Sequence, residues 1–146
     1  MINPQDGSIG LESPPIVITH DFSREQFLSS PLFPLSSPLN QNSPWSRYSF
    51  RPITIAGEVF AADICFKSDR LYSVNLRTAR PAFGESWSDW SSEKEIAAKR
   101  FHDSLLTSWF GSTRGDYLFR WGKVYSVIDN KSGSSSIGIT YSAESK

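Results

Sequence analysis

The chain has 146 residues, a length typical of one domain, and folding at that size buries roughly 68 to 70% of the extended chain's surface. Its 15 basic and 15 acidic side chains give a formal net charge of zero, which argues against the broad positive field that draws proteins to nucleic acid or anionic lipid. The single cysteine, Cys65, excludes an internal disulfide and a zinc site of several thiolates.

The opening residues, MINPQDGSIGLESPP, have neither the basic start nor the continuous apolar core of a secretory signal. No apolar run approaches the roughly 18 residues that suggest a transmembrane helix. A cytoplasmic protein without membrane or nucleic-acid partners is expected, with residues 1–15 loose. A short strand is predicted from Ile16 to Thr19, then one or two turns of helix opened by Ser23 and Gln26, whose Ser-x-x-Gln spacing fits a capping box. Pro31, Pro34, Pro38 and Pro44 each remove a backbone donor and bar their predecessor from helix. Residues 29–46 therefore read as an extended Pro/Ser-rich segment pinned by Leu32, Phe33, Leu35, Leu39 and Trp45. A disordered linker is the alternative, and the apolar content argues against it.

Three β-prone runs follow, RYSFRPITI, EVFAADICF and LYSVNLR, joined by short turns as in a meander. The two-residue period puts Phe60, Ala62, Ile64 and Phe66 on one face, and Tyr72, Val74 and Leu76 on the matching face of the next strand. That face needs a cover, and the segment from Glu93 to Phe110 supplies one. At 100° per residue Ala97, Ala98, Phe101, Leu105 and Trp109 share a side, with Ser92 and Glu95 as a capping box and Gly111 at the C-terminal stop. The tail returns to strands in DYLFRW, VYSVID and SIGITY. The whole predicts a single α+β domain, residues 1–146, in which an antiparallel sheet packs on one long helix.

Catalytic patterns are thin. His20–Asp21 and His102–Asp103 are adjacent pairs whose side chains diverge on strand or helix, so neither is an internal acid/base pair. Cys65 alternates away from the apolar face and reads as an inert thiol unless a base is folded beside it. Two distant histidines and scattered carboxylates lack zinc or calcium spacing, GSTRGDY opens no phosphate-cradling helix, and no Gly-x-Ser-x-Gly elbow occurs. No catalytic residue, metal or cofactor is expected.

The stretch FGESWSDWSSEKE joins the third middle strand to the long helix. Trp90 stands just outside the helix start, where it is expected to close the first turn. Trp87 lies further into the loop as an exposed anchor, with an acidic rim from Glu85, Asp89 and Glu93. Arg114 completes the candidate partner-binding set. The competing reading makes both tryptophans loop residues folded over the core.

Three stretches between Arg47 and Tyr141 carry a resemblance: RYSFRPITIAG, SWSDWSSEKEIAAKRFHDSLL and YLFRWGKVYSVIDNKSGSSSIGITY. The Trp-x-x-Trp-Ser, the His-Asp within the helix and the Trp-Gly…Tyr-Ser-Val…Asp hairpin are its most specific parts. Together they resemble a family of small bacterial α+β proteins, some encoded in interference loci as cognate immunity proteins against toxins. The resemblance implies a non-catalytic protein that neutralises a protein partner and carries over no catalytic residue. The alternative is a small enzyme or small-ligand binder with a pocket between sheet and helix and His102, Asp63 or Cys65 at its mouth. A monomer or small homo-oligomer fits either.

Overall fold

The computed structural model describes residues 1–39, 41–83, 90–129 and 133–142, with Arg51 by its backbone alone. Its strands are β1 (Ile9–Leu11), β2 (Ile16–Ile18), β3 (Ser36–Pro38), β4 (Trp45–Ile55), β5 (Glu58–Lys67), β6 (Arg70–Thr78), β7 (Asp116–Phe119), β8 (Gly122–Ile128) and β9 (Ser135–Tyr141). Helix α1 covers Arg24–Leu28 and helix α2 covers Ser92–Phe110. The fold is α+β: β1 and β2 form a small hairpin, and the others form one open antiparallel sheet in the order β3-β4-β5-β6-β9-β8-β7.

The expected meander is β4–β5–β6. The strands after α2 pair with one another as the antiparallel group β7–β8–β9. β9 inserts beside β6, pairing Val74 with Ile139 and Leu76 with Ile137, so the early and late strands become one sheet. Every strand alternates inward and outward residues. Phe60, Ala62, Ile64 and Phe66 are buried as expected, joined by Val74, Leu76, Val124, Ile137 and Ile139 on the same side. Tyr72 departs from the expected pattern. A register shift pairs Phe66 with Leu71 and Cys65 with Ser73, leaving Tyr72 as the extra residue and handing its place in the core to Leu71.

Two elements cover the inner face. The capping box of α1 is present in both directions, Gln26 N–H donating to Ser23 Oγ at 3.0 Å and Ser23 N–H to Gln26 Oε1 at 2.9 Å. Five residues cannot hold a helix by themselves, so α1 depends on its one buried side chain. Phe27 packs against the rings of Tyr48, Phe66 and Phe50 at centroid distances of 4.7, 5.5 and 5.8 Å. Helix α2 covers the other end, with Trp109 against Phe60.

α2 has the expected extent, and Gly111 ends it in the left-handed conformation at φ 79°. Its cap is Ser91, whose Oγ accepts from Lys94 N–H at 3.1 Å, so the Ser92–Glu95 capping box does not form. The buried stripe is Glu95, Ala98, His102 and Leu106. Compared with the expected face it is rotated by about one residue, or about 100°, and Ala97, Phe101, Leu105 and Trp109 are only half-buried flanks. Two polar residues inside that stripe moved the helix away from its purely apolar side.

Residues 1–15 are not loose. Ile2, Ile9 and Leu11 are buried. Trp121 Nε1–H donates to Pro4 O and Tyr141 O–H to Gly7 O, both at 2.9 Å. Gly7 (φ +75°) lies flat on the Trp121 ring where any side chain would collide. Among the described residues of the Pro/Ser-rich segment only Leu32 is fully buried. Phe33, Leu39 and Trp45 are exposed, and β3 holds the segment along β4.

The rotated stripe predicts that Leu106→Ala costs about 2 to 5 kcal/mol, as for a fully enclosed leucine, and that Phe101→Ala costs distinctly less. Urea unfolding of the two variants checks the order.

Candidate functional site

Of the expected partner-binding residues, Glu85, Trp87 and Asp89 lie outside the described residues. Glu93 is exposed in the first turn of α2. Arg114 is exposed in the loop beyond its far end, beside a cleft of about 360 Å³ lined by Pro4, Phe110, Tyr117 and Phe119. The rise of α2 from Glu93 to Phe110 is about 26 Å at 1.5 Å per residue, so Glu93 and Arg114 lie at opposite ends of the helix. Trp90, expected to close the helix start, is 41% exposed. Its ring lies against Gly133, to whose carbonyl its Nε1–H donates at 3.4 Å.

His102, Asp63 and Cys65, the residues of the alternative pocket, are not brought together. His102 points from α2 into the inner face, where Ala98, His102 and Leu106 fill the space against the sheet. Asp63 and Cys65 alternate with Ala62 and Ile64 and so belong to the other side. Instead His102 belongs to a buried polar clasp. Its Nε2 accepts the Thr78 N–H at 3.0 Å, so the ring proton sits on Nδ1 and donates to Ser135 Oγ at 2.9 Å. Ser135 N–H donates to Glu95 Oε1 at 2.8 Å, and Glu95 takes both arms of the Arg77 guanidinium at 2.9 Å. Arg77 also donates to Phe83 O at 2.8 Å. Burial, and then the neighbouring Arg77 charge, lower the His102 pKa to about 4. The ring is neutral at pH 7.

The outer side of the sheet has no layer of helix over it among the described elements. A row of residues runs straight across it in register: Ser37, Ser49, Asp63, Asn75, Gly138, Tyr125 and Asp116, one from each strand. Beside it run Arg47, Cys65, Ser73, Thr140, Lys123 and Leu118. The Tyr125 ring lies over Gly138 in the space a side chain there would need, and Lys123 Nζ stands 5.2 Å from its centroid. At the β4–β6 end Trp45 meets Tyr72 edge-on at 4.9 Å, with Lys67 Nζ 5.6 Å from the indole. Asp63 sits on the third strand of the row, next to Asn75 at its middle, and accepts from Asn75 Nδ2 at 3.2 Å. Partial burial raises its pKa, and the Asn75 hydrogen bond and the Arg47 charge only partly offset that. A half-desolvated carboxylate on an interior strand of an outer sheet face weakens the fold. Alternation in the strands marks these residues as outward, but their alignment across seven strands depends on the β6–β9 pairing, which no local pattern reveals.

Chemically the arrangement is suited to contact. It offers flat aromatic rings, guanidinium and ammonium groups, and one carboxylate eager to regain hydrogen bonds. Cys65 is buried, and its Sγ lies 4.0 Å from the Phe66 carbonyl, to which it donates. A separate cleft of about 730 Å³ lies by the β5–β6 turn and includes His20, Asp21, Lys67, Asp69 and Arg70. Among the described residues no three His, Cys, Asp or Glu side chains gather as a metal site, and no helix is long and apolar enough to cross a membrane. Compared with known proteins, the chain matches no family model, no curated protein and no solved structure.

Two outcomes follow. His102 has a folded pKa near 4 against about 6.5 unfolded, so its contribution is intact above pH 6.5 and is lost as pH falls towards 4. A shift of that size is worth about 3 kcal/mol; unfolding at pH 7 and pH 4.5 should show a larger drop for the wild type than for His102→Gln. Asp63 has the opposite sign, its raised pKa making the charge a burden at neutral pH. Asp63→Asn keeps an acceptor for Asn75 and should be at least as stable as the wild type at pH 7 in urea unfolding.

Proposed function

We propose that this chain is a non-catalytic binding protein that covers a protein partner with the outer face of its sheet. The observation that carries the reading is Asp63, a partly desolvated carboxylate on an interior strand of that face, with Asn75 and Arg47 beside it and Tyr125 further along the same row. The fold gains nothing from it, whereas a partner that supplies a cation or N–H donors does. Trp, Tyr and Arg are also the side chains on which interface energy concentrates, and Trp45, Tyr72, Tyr125 and Arg47 share the face. Size agrees. Seven strands about 4.8 Å apart and about seven residues long make a face of roughly 29 by 23 Å, on the order of the 800 Å² that each side of a stable interface buries. The sequence resemblance supports the finer reading, an immunity protein whose partner is a bacterial toxin.

Co-expression with the protein products of neighbouring genes tests both levels, with cell survival and complex formation read together. Tyr125→Ala and Arg47→Gln should each weaken the complex by about 2 kcal/mol or more, a loss larger than any change in melting temperature accounts for. A complex indifferent to these substitutions overturns the assignment of the face. A complex that depends on them without rescuing cells keeps the binding role and removes the toxin.

A further inference from the structure

The two edges of the seven-stranded sheet are built differently. β3, at one end, is three residues long and ends in Pro38, with Pro34 just before it. Short edges and prolines are how sheets block further strand addition. β7, at the other end, reads Asp116-Tyr117-Leu118-Phe119 with no proline, and Arg120 follows it in the turn. Leu118 is 74% exposed, the highest value among the large apolar side chains described. An edge of this kind invites another strand.

The hairpin fixes which backbone groups of β7 are free for it. Phe119 pairs with Gly122 across a turn of only Arg120 and Trp121, so those two must be a mutually hydrogen-bonded pair. Alternation then has Tyr117 bonding to β8 as well, and turns the N–H and C=O of Asp116 and Leu118 outward.

We propose that β7 pairs with β7 of a second copy of this chain, antiparallel about a twofold axis at Leu118, to give a continuous sheet of two subunits. The sequence Asp-Tyr-Leu-Phe-Arg is complementary to itself in that arrangement. Leu118 faces its own mate and Tyr117 faces Phe119, while Asp116 at the start of one strand comes nearest Arg120 in the turn that follows the other, where opposite charges attract. Other registers fail on the same grounds. A twofold at Tyr117 or Phe119 lies on residues whose backbone groups are spent on β8, and one at Asp116 sets two carboxylates against each other. The aromatic edge of Phe110, Tyr117 and Phe119, with centroids 4.9 and 5.3 Å apart, lies beneath the join and gains cover from it. The outer face is left free and doubled in length, so this inference stands apart from the proposed partner.

Sedimentation equilibrium of the full chain across the micromolar range tests it. The wild type should show a monomer–dimer equilibrium, and Leu118→Lys, at a position too exposed to affect folding, should leave only monomer. Asp116→Arg and Arg120→Asp should each weaken the dimer at least about tenfold by opposing like charges. The double swap D116R/R120D restores the opposite-charge pair and should recover wild-type affinity to within about threefold. A wild type that is monomeric at every concentration overturns the proposal, as does a dimer that survives Leu118→Lys. A folded double-swap variant that stays as weak as the single variants overturns the register.

Discussion

The ion pair between Arg77 and Glu95 holds the architecture together. Both arms of the guanidinium engage the carboxylate, Glu95 is almost wholly buried in the first turn of α2, and the same carboxylate accepts the backbone N–H that begins β9. Two turns further along α2, His102 bonds the end of β6 through Thr78 and the start of β9 through Ser135. Helix and sheet are thus joined by directional polar bonds at one end and by apolar packing of Leu106 and Trp109 at the other. Burying such a pair is worthwhile only when its remaining hydrogen-bonding capacity is filled, and here Ser135 and Phe83 fill it.

From this clasp follow the sidedness of the sheet and the place of the candidate site. α2 leaves β6 and returns the chain to β7, so the last strand must come back to β6 for the sheet to close its gap. The clasp sits at that junction, where Leu76 pairs with Ile137 and the strand ends carry Thr78 and Ser135. With α1, α2 and the N-terminal segment all on the inner side, the outer side keeps Trp45, Arg47, Asp63, Tyr72 and Tyr125 for other contacts. Apart from Ser126 Oγ, which has no hydrogen-bond partner, the buried side-chain polar groups described are answered by partners within the chain. Asp63 is answered only in part, and that difference separates a structural polar cluster from a candidate contact site.

Much of this was legible in the sequence, and the failures have physical causes. The Ser23–Gln26 box, the extent of α2, its glycine stop and the buried face of β5 are local signals, set within a few residues, and each appears in the structure as read. The face of α2 was misjudged because apolar periodicity cannot count Glu95 and His102 as core, although both are buried more deeply than Phe101. Tyr72 was misplaced because one extra residue in a strand reverses the alternation beyond it. The N-terminal segment looked loose because its anchors, Trp121 and Tyr141, lie more than a hundred positions away. The same distance hid the candidate site: Asp63 and Tyr125 share a face only after β9 is set beside β6. Trp90, the described tryptophan of the connecting loop, rests on Gly133, again a partner distant in the chain.

A double-mutant cycle between Arg77 and Glu95 tests most directly whether the clasp governs the fold. Removing either partner strands a buried charge, so Arg77→Ala and Glu95→Ala should each cost about 3 to 5 kcal/mol. The double variant strands neither, and its cost in urea unfolding should be far below the sum, with a coupling of about 2 to 3 kcal/mol. Costs that simply add would mean that helix and sheet are held by apolar packing alone and that the ion pair is incidental.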